Sequence, residues 1–151
     1  MKDIVIQLIM AMLGSLGFSL LFRLRPRILA PACLGGLGCW GLYLLAAHIL
    51  DGIFIPTMLS AAFCALYAEI NARLWKAPAT VFFIPALVPL IPGSTLYYTM
   101  SCLVQRNGAM AAHYGILTGQ YALGIAAGAC IVWVFHDIFR ALALPFTARK
   151  R

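Results

Sequence analysis

The chain has 151 residues, of which 64% are hydrophobic and only 10% are charged, and its mean hydropathy is +0.96. Soluble domains usually carry about a quarter charged residues, so this composition excludes an ordinary soluble fold. The formal charge of +7 does not indicate nucleic-acid binding, because the eleven Lys and Arg residues lie in short clusters between long uncharged stretches. The composition predicts an integral membrane protein with no nucleic-acid partner.

Five uncharged stretches are long enough to cross a bilayer as helices, since a hydrocarbon core of about 30 Å needs roughly 20 apolar residues. The first stretch exceeds the apolar region of a secretory signal and leads directly into a basic segment, so we expect it to be retained. Asp51 and Gly52 predict a tight turn between the second and third stretches. The prediction is one all-α transmembrane domain over residues 1–151, surrounded by lipid, with spans at residues 4–22, 28–50, 53–70, 77–104 and 114–136.

The basic residues predict the orientation of a five-span chain, because short cytoplasmic loops carry an excess of Lys and Arg. Lys2 and Arg106 fall on one side of the membrane. The other nine fall on the opposite side: Arg23, Arg25, Arg27, Arg73, Lys76, Arg140, Arg149, Lys150 and Arg151. We therefore expect an external N-terminus and a cytoplasmic C-terminus.

The fourth stretch is too long for one regular span. Residues 77–105 are uncharged and would measure about 44 Å as a helix, so the segment must tilt or break. Proline removes backbone donors and strains the preceding turn, and four prolines lie in this stretch: Pro78, Pro85, Pro89 and Pro92. We expect a fourth transmembrane helix interrupted by proline and glycine.

The fifth stretch carries two pairs of glycines at the spacing that allows close helix contact, Gly115 with Gly119 and Gly124 with Gly128. At about 100° per residue the two pairs lie on opposite helix faces. This pattern predicts a helix that packs between neighbours.

Catalytic and metal chemistry are not indicated. The five cysteines lack the paired spacing of a zinc or redox motif and lie in apolar stretches, so we expect small buried side chains. No hydrolase elbow, metalloprotease pair or phosphate loop is present in the sequence. The chain by itself is not expected to be an enzyme.

The break in the fourth stretch is the best candidate for a binding site. Backbone groups freed at membrane depth are tolerated only inside protein or beside a water-filled cavity, and a restarted helix presents free amides that can hold a carboxylate. The alternative is a kink that only shapes packing, since proline and glycine are common in membrane helices. The candidate substrate-binding residues are Pro89, Pro92, Gly93, Ser94, Thr95, Tyr97 and Tyr98. The two tyrosines also fit an external aromatic belt.

Glu69 is one of four acidic residues and lies near the predicted cytoplasmic end of the third span. An ionisable residue beside a membrane cavity is a candidate for proton coupling or for contact with a substrate amine. Glu69 also precedes Arg73 by four residues, which is the favourable order for an ion pair on a helix. Both interpretations stay open at this point.

Residues 67–85, YAEINARLWKAPATVFFIP, and residues 88–97, VPLIPGSTLY, resemble the ThrE-type threonine/serine exporter family. More narrowly, the chain resembles the small YjjB-type subunit, which corresponds to the C-terminal membrane half of a full-length exporter. It departs from the family pattern at Ala86, where glycine is expected after Pro85.

The resemblance implies secondary export of small hydrophilic amino acids such as threonine and serine, driven by the proton gradient across a bacterial inner membrane. It implies no nucleotide or metal cofactor, and a partner in the form of a large subunit with a cytoplasmic portion. Two alternatives stay open: a membrane scaffold or assembly subunit that does not transport, and an exporter of other small organic anions.

Overall fold

The structure is a computed structural model. It describes the backbone of residues 2–147 and, apart from Lys2, Phe139 and residues 141–147, the side chains as well. The described residues form six α-helices and one short 3-10 helix, with no β-strand: α1 (Lys2–Leu21), α2 (Pro26–Ile49), α3 (Phe54–Trp75), α4 (Thr80–Leu87), the 3-10 helix (Val88–Leu90), α5 (Gly93–Val104) and α6 (Gly108–Thr147). The predicted all-α class is confirmed.

Four helices within residues 2–147 are long and apolar enough to cross a membrane, namely α1, α2, α3 and residues 108–138 of α6. The segment Thr80–Leu90 and helix α5 meet the same test together, and they are bent by 54° at the break between them. Counting this pair as one span gives five. The predicted interruption of the fourth segment is therefore confirmed.

Helices α3 and α6 extend past the predicted spans. Helix α3 continues to Trp75, and α6 contains 40 residues where the uncharged stretch covered only residues 114–136. The prediction ended the spans at polar or charged residues, whereas backbone hydrogen bonds continue through such residues as long as none of them breaks the helix. At 1.5 Å per residue α6 is about 60 Å long, so it extends well beyond a hydrocarbon core of about 30 Å.

Three helix-to-helix turns are closed by basic residues in the left-handed backbone conformation: Arg23, Lys76 and Arg106, with φ of 52°, 50° and 57°. Arg23, Arg25 and Lys76 line one cavity of about 310 Å³, so the α1–α2 and α3–α4 turns are neighbours. Three of the basic residues expected on one side of the membrane thus lie together at one end of the bundle. Arg149, Lys150 and Arg151 of that group lie outside the described residues.

Helix α4 lies at the centre of the bundle, between α2 and α3. Its residues Phe82, Phe83 and Ala86 are buried among small side chains of the two neighbours, chiefly alanines and cysteines. A Cβ atom at Gly35 of α2 would lie 2.9 Å from Cβ of Ala86, so only glycine allows this approach. Packing of this kind stabilises membrane helices through van der Waals contact, because burial from lipid supplies little hydrophobic driving force.

Helix α6 packs between α3 and α5, as the glycine pattern predicted. A Cβ atom at Gly128 would overlap the Met58 carbonyl of α3, and one at Gly124 would lie 3.0 Å from the Phe54 carbonyl. Gly115 faces α5, with Thr99 at 3.6 Å, whereas the Cβ position of Gly119 has open space around it. Three of the four glycines therefore serve close helix contact.

The expectation for the cysteines is wrong for two of the five. Cys33, Cys39 and Cys64 are buried, but Cys102 is only half-buried and Cys130 is exposed. A thiol on the surface of a membrane helix meets lipid rather than water, so it needs no burial within the protein.

Candidate functional site

The broken helix is made by one short irregular segment. The 3-10 helix Val88–Leu90 follows α4 directly, Ile91 is extended with φ −65° and ψ 125°, and Pro92 precedes the first residue of α5. Pro85 does not break the chain but lies buried within α4. The interruption that four prolines predicted is thus concentrated at Ile91 and Pro92.

The restart at Gly93 leaves backbone amides without internal partners. The Gly93 amide donates to the Ile91 carbonyl at 2.8 Å, and the Leu96 amide donates to Pro92 at 3.1 Å. Between them, neither the Ser94 nor the Thr95 amide donates to a backbone carbonyl of the described chain. Such amides lie at the positive end of the helix dipole and can bind an anion.

No side-chain hydroxyl caps the restarted helix, although the sequence offers two. The residue before the helix is Pro92, which has no side-chain cap hydrogen bond. The Thr95 hydroxyl donates to the Pro92 carbonyl at 3.2 Å and accepts a hydrogen bond from Thr118 of α6 at 2.9 Å. Thr95 therefore anchors the restart to α6 and leaves the amides open.

The first turn of α5 faces open space. Gly93 and Ser94 are exposed, and no atom lies within 4 Å of the position that a Gly93 Cβ would occupy. None of the described α5 residues is buried. Pro89 lies on the other side of the break, where it lines a cavity of about 260 Å³ with Gln7 and Trp40.

Tyr97 and Tyr98 belong to an exposed aromatic group on α5 and α6. Their rings meet edge to face with centroids 5.6 Å apart, and Tyr98 stacks on Tyr114 at 5.3 Å. Tyr97 is 68% exposed and Tyr98 is 49% exposed. They lie one turn after the restart, on a surface that lipid or a second protein can cover.

Glu69 and Arg73 meet through a third residue. Nη2 of Arg73 lies 2.7 Å from Nε2 of His136, and Oε2 of Glu69 lies 3.5 Å from the same nitrogen. Among the described residues no salt bridge joins Glu69 directly to Arg73. The direct ion pair expected from their spacing is not formed, because the arginine turns towards the imidazole on α6.

His136 was not singled out from the sequence, although it is the last residue of the predicted fifth span. Its place inside a span is the signal that could have found it, because the five predicted spans contain only three residues of the types Asp, Glu, Lys, Arg and His, namely His48, Glu69 and His136. His136 and Glu69 are partly buried, at 23% and 19% side-chain exposure. Together with Arg73 they lie at one end of a groove of about 390 Å³ between α3 and α6, whose other walls are apolar: Leu66, Ile70, Ile131, Val132 and Phe135.

The broken helix and the His136 cluster lie far apart along α6. Thr118 contacts the restart, and His136 follows it by 18 residues, which is about 27 Å at 1.5 Å per residue. This distance is close to the thickness of a hydrocarbon core. The two candidate regions are therefore too far apart to bind one small molecule together.

A comparison with family models identifies the chain. The model described as "Threonine/Serine exporter, ThrE" matches residues 7–135. The chain belongs to the ThrE family. No curated protein and no solved structure matches it.

The chain is therefore a multi-pass membrane protein of a transporter family, which agrees with its long apolar helices. The match to the exporter model includes the broken helix and the residues Glu69 and Arg73. His136 is the first residue beyond the matched range. ThrE is a family of exporters rather than of enzymes.

Proposed function

We propose that the chain is the small membrane subunit of a two-component exporter that moves threonine and serine out of a bacterial cell. A large subunit of the same family, with a cytoplasmic portion, supplies the other half of the exporter. The proton gradient across the inner membrane drives export, the N-terminus is external and the C-terminus is cytoplasmic. The chain forms one transmembrane domain.

The observation that carries the proposal is the restart of the helix at Gly93. Two unpaired amides, of Ser94 and Thr95, stand at the start of a half-helix within a chain of the exporter family. An α-amino acid brings a carboxylate, which such an end attracts by roughly 0.3 to 2 kcal/mol depending on burial. Pro89 and Pro92 shape the break, and Tyr97 and Tyr98 line the cavity that a second subunit closes over α5.

The open surface of α5 supports a second subunit. Unpaired backbone amides are tolerated at membrane depth only within protein or beside water, so lipid does not suit the first turn of α5. Transporter sites commonly form between two repeats or bundles, and this chain offers one. A partner that covers α5 would enclose the amides and complete the cavity.

The basic residues at one end of the bundle support the orientation. Arg23, Arg25 and Lys76 line one cavity at the end of the bundle where α3 meets α4. The positive-inside rule places such an end in the cytoplasm. Cysteine labelling at position 2 in intact cells, with no labelling at position 151 until the cells are permeabilised, is the expected result.

The test of function is export by the reconstituted pair. Inside-out vesicles that contain the chain together with the family member encoded beside it are expected to take up labelled threonine when their interior is acidified. Dissipation of the gradient is expected to stop uptake, and each subunit alone is expected to be inactive.

Two results would contradict the proposal. If the paired subunits assemble but move no amino acid under any gradient, the chain is a scaffold or assembly subunit. If unrelated organic anions displace threonine completely while serine does not, the exporter serves another class of substrate.

A further inference from the structure

Two turns at one end of the bundle enclose a cavity that is lined by three cations. Arg23 and Arg25 come from the α1–α2 turn and Lys76 comes from the α3–α4 turn, and the cavity between them measures about 310 Å³. Arg23 and Lys76 both have the left-handed backbone conformation at the point where the chain turns. Cations from two separate parts of the chain therefore surround one space.

No carboxylate of the described residues forms a salt bridge with these three cations. The chain has four acidic residues. Asp3 begins α1 and Asp51 follows the end of α2, so each lies about 30 Å from the cavity along its helix at 1.5 Å per residue. Glu69 and Asp137 both approach His136 instead. Like charges around one space repel each other, so the cavity favours an anion.

An apolar groove continues from this cavity along α4. Leu24 and Val81 line both spaces. The groove has a volume of about 210 Å³, and its further walls include Phe22, Ile84 and Pro85. The last two lie about one helical turn beyond Val81 on α4, and Ile84 is 44% exposed, so the groove is open at the surface of the bundle. It leads from the cations into the apolar part of the fourth segment.

The cavity also has an aromatic side chain of the kind found at the membrane surface. Trp75 lines it beside Lys76 and is 44% exposed, whereas Ile28 on its inner side is buried. Tryptophan is enriched at the level of the lipid headgroups, where its ring meets both apolar and polar surroundings. The three cations therefore stand at the depth of a phospholipid headgroup.

We propose that the cavity and the groove together form a binding site for an acidic phospholipid. The phosphodiester headgroup binds Arg23, Arg25 and Lys76, and an acyl chain occupies the groove along α4. Basic pockets between membrane helices suit such headgroups, because arginine contacts phosphate oxygens in pairs and lysine adds a compact charge. A free phosphate has the required charge but leaves the groove empty. The inference does not depend on the export function.

The test measures lipid binding to the full chain, purified in a neutral detergent. Native mass spectrometry gives the fraction of protein that carries dioleoyl phosphatidylglycerol as this lipid is added. We expect saturable binding, with dioleoyl phosphatidylcholine about tenfold weaker because its headgroup has no net charge. Glycerophosphoglycerol, the headgroup without acyl chains, is expected to compete poorly because it does not fill the groove.

Four variants determine where the lipid binds. Arg25→Gln and Lys76→Gln each remove one cation from the cavity and are expected to weaken phosphatidylglycerol binding about fivefold. Arg27→Gln is the matched control, because Arg27 belongs to the same basic segment but does not line the cavity. Arg106→Gln is the control at the third left-handed turn. Both controls are expected to bind as the wild type, and all four side chains are exposed, so folding is not at risk.

Three results would overturn the proposal. Equal binding of phosphatidylglycerol and phosphatidylcholine would assign the cations to another anionic partner, such as an acidic protein segment. Equal weakening by Arg25→Gln and Arg27→Gln would show that the basic end of the bundle attracts lipid without a defined site. Complete displacement of the lipid by an equal concentration of glycerophosphoglycerol would show a site for free phosphate esters.

Discussion

The two candidate regions use different chemistry at two places about 27 Å apart along α6. At the broken helix, the groups available to a ligand are backbone amides on an exposed surface, and the Thr95 hydroxyl is held in hydrogen bonds to the Pro92 carbonyl and to Thr118. At the end of the α3–α6 groove, the groups available are ionisable side chains partly shielded from solvent. Amides suit a fixed anion, whereas an imidazole beside a carboxylate can respond to protons.

The difference explains how each region depends on the rest of the fold. The cluster needs α3 and α6 in close register, since His136 lies 63 positions from Arg73 in the sequence. The restart is held to α6 by the Thr95–Thr118 hydrogen bond and, one turn further on, by the stacking of Tyr98 on Tyr114. A single substitution can therefore impair one region and leave the other intact.

The largest effect is expected from Gly128→Leu. A Cβ atom at this position would overlap the Met58 carbonyl and lie 2.9 Å from the Ala62 amide, and neither backbone group can move without separating α3 from α6. Overpacking of side chains alone costs about 1–3 kcal/mol, so we expect a greater loss of stability here. Thermal unfolding in detergent and the yield of monodisperse protein measure it.

Gly119→Leu is the matched control, because its Cβ position is open. It lies on the same helix and is expected to leave folding unchanged. Equal stability of the two variants would contradict the close packing of α3 on α6.

Gly93→Leu is expected to abolish export while the protein still folds. The Cβ position has no neighbour within 4 Å, so the side chain is accommodated in the chain but blocks approach to the Ser94 and Thr95 amides. Gly108→Leu, at the start of α6 and equally open, is the control and is expected to export normally. Normal export by Gly93→Leu would show that the break only shapes packing and does not bind the substrate.

Ser94→Ala is expected to weaken threonine binding about fivefold, the value of one hydrogen bond near 1 kcal/mol. The amide remains, so activity should fall and not vanish. Ser101→Ala is the comparison on the same helix, because its hydroxyl already accepts a hydrogen bond from Gln105 at 3.0 Å. The effect is measured as the threonine Kd of each variant relative to the wild type. An equal change in both variants would argue against a specific role for Ser94.

The smallest effect is expected from Thr118→Val, which removes the hydroxyl that holds Thr95 at 2.9 Å. The restart loses an anchor but keeps its amides, so we expect a change in threonine Kd of less than about fivefold. Thr99→Val removes a hydrogen bond within α5 and is expected to change Kd even less. If both variants behave as the wild type, the Thr95–Thr118 contact does not position the restart.

The broken helix could be predicted from the sequence because its causes are local. Proline at position 92 followed by Gly93, inside an uncharged stretch too long for the bilayer, is sufficient to indicate an interruption. The opposite faces of the two glycine pairs in α6 could also be predicted, because helix periodicity determines the face on which each residue lies. Which neighbour each face meets, and that Gly119 meets none, depends on tertiary packing.

The His136 cluster could not be predicted in the same way. Spacing along a helix favoured an ion pair between Glu69 and Arg73, which are four residues apart, and left proton coupling open. The structure instead brings Nε2 of His136 within 2.7 Å of Arg73 and 3.5 Å of Glu69, across the α3–α6 contact. Local spacing contains no information on that third partner.

Competition between threonine and its decarboxylated analogue tests the central claim most directly, that the restart at Gly93 binds the carboxylate of an exported amino acid. The measurement is uptake of labelled threonine into inside-out vesicles that contain both subunits, with increasing analogue outside. We expect the analogue to compete much more weakly than unlabelled threonine, because it offers nothing to the Ser94 and Thr95 amides. Competition as strong as that of threonine itself would contradict the account.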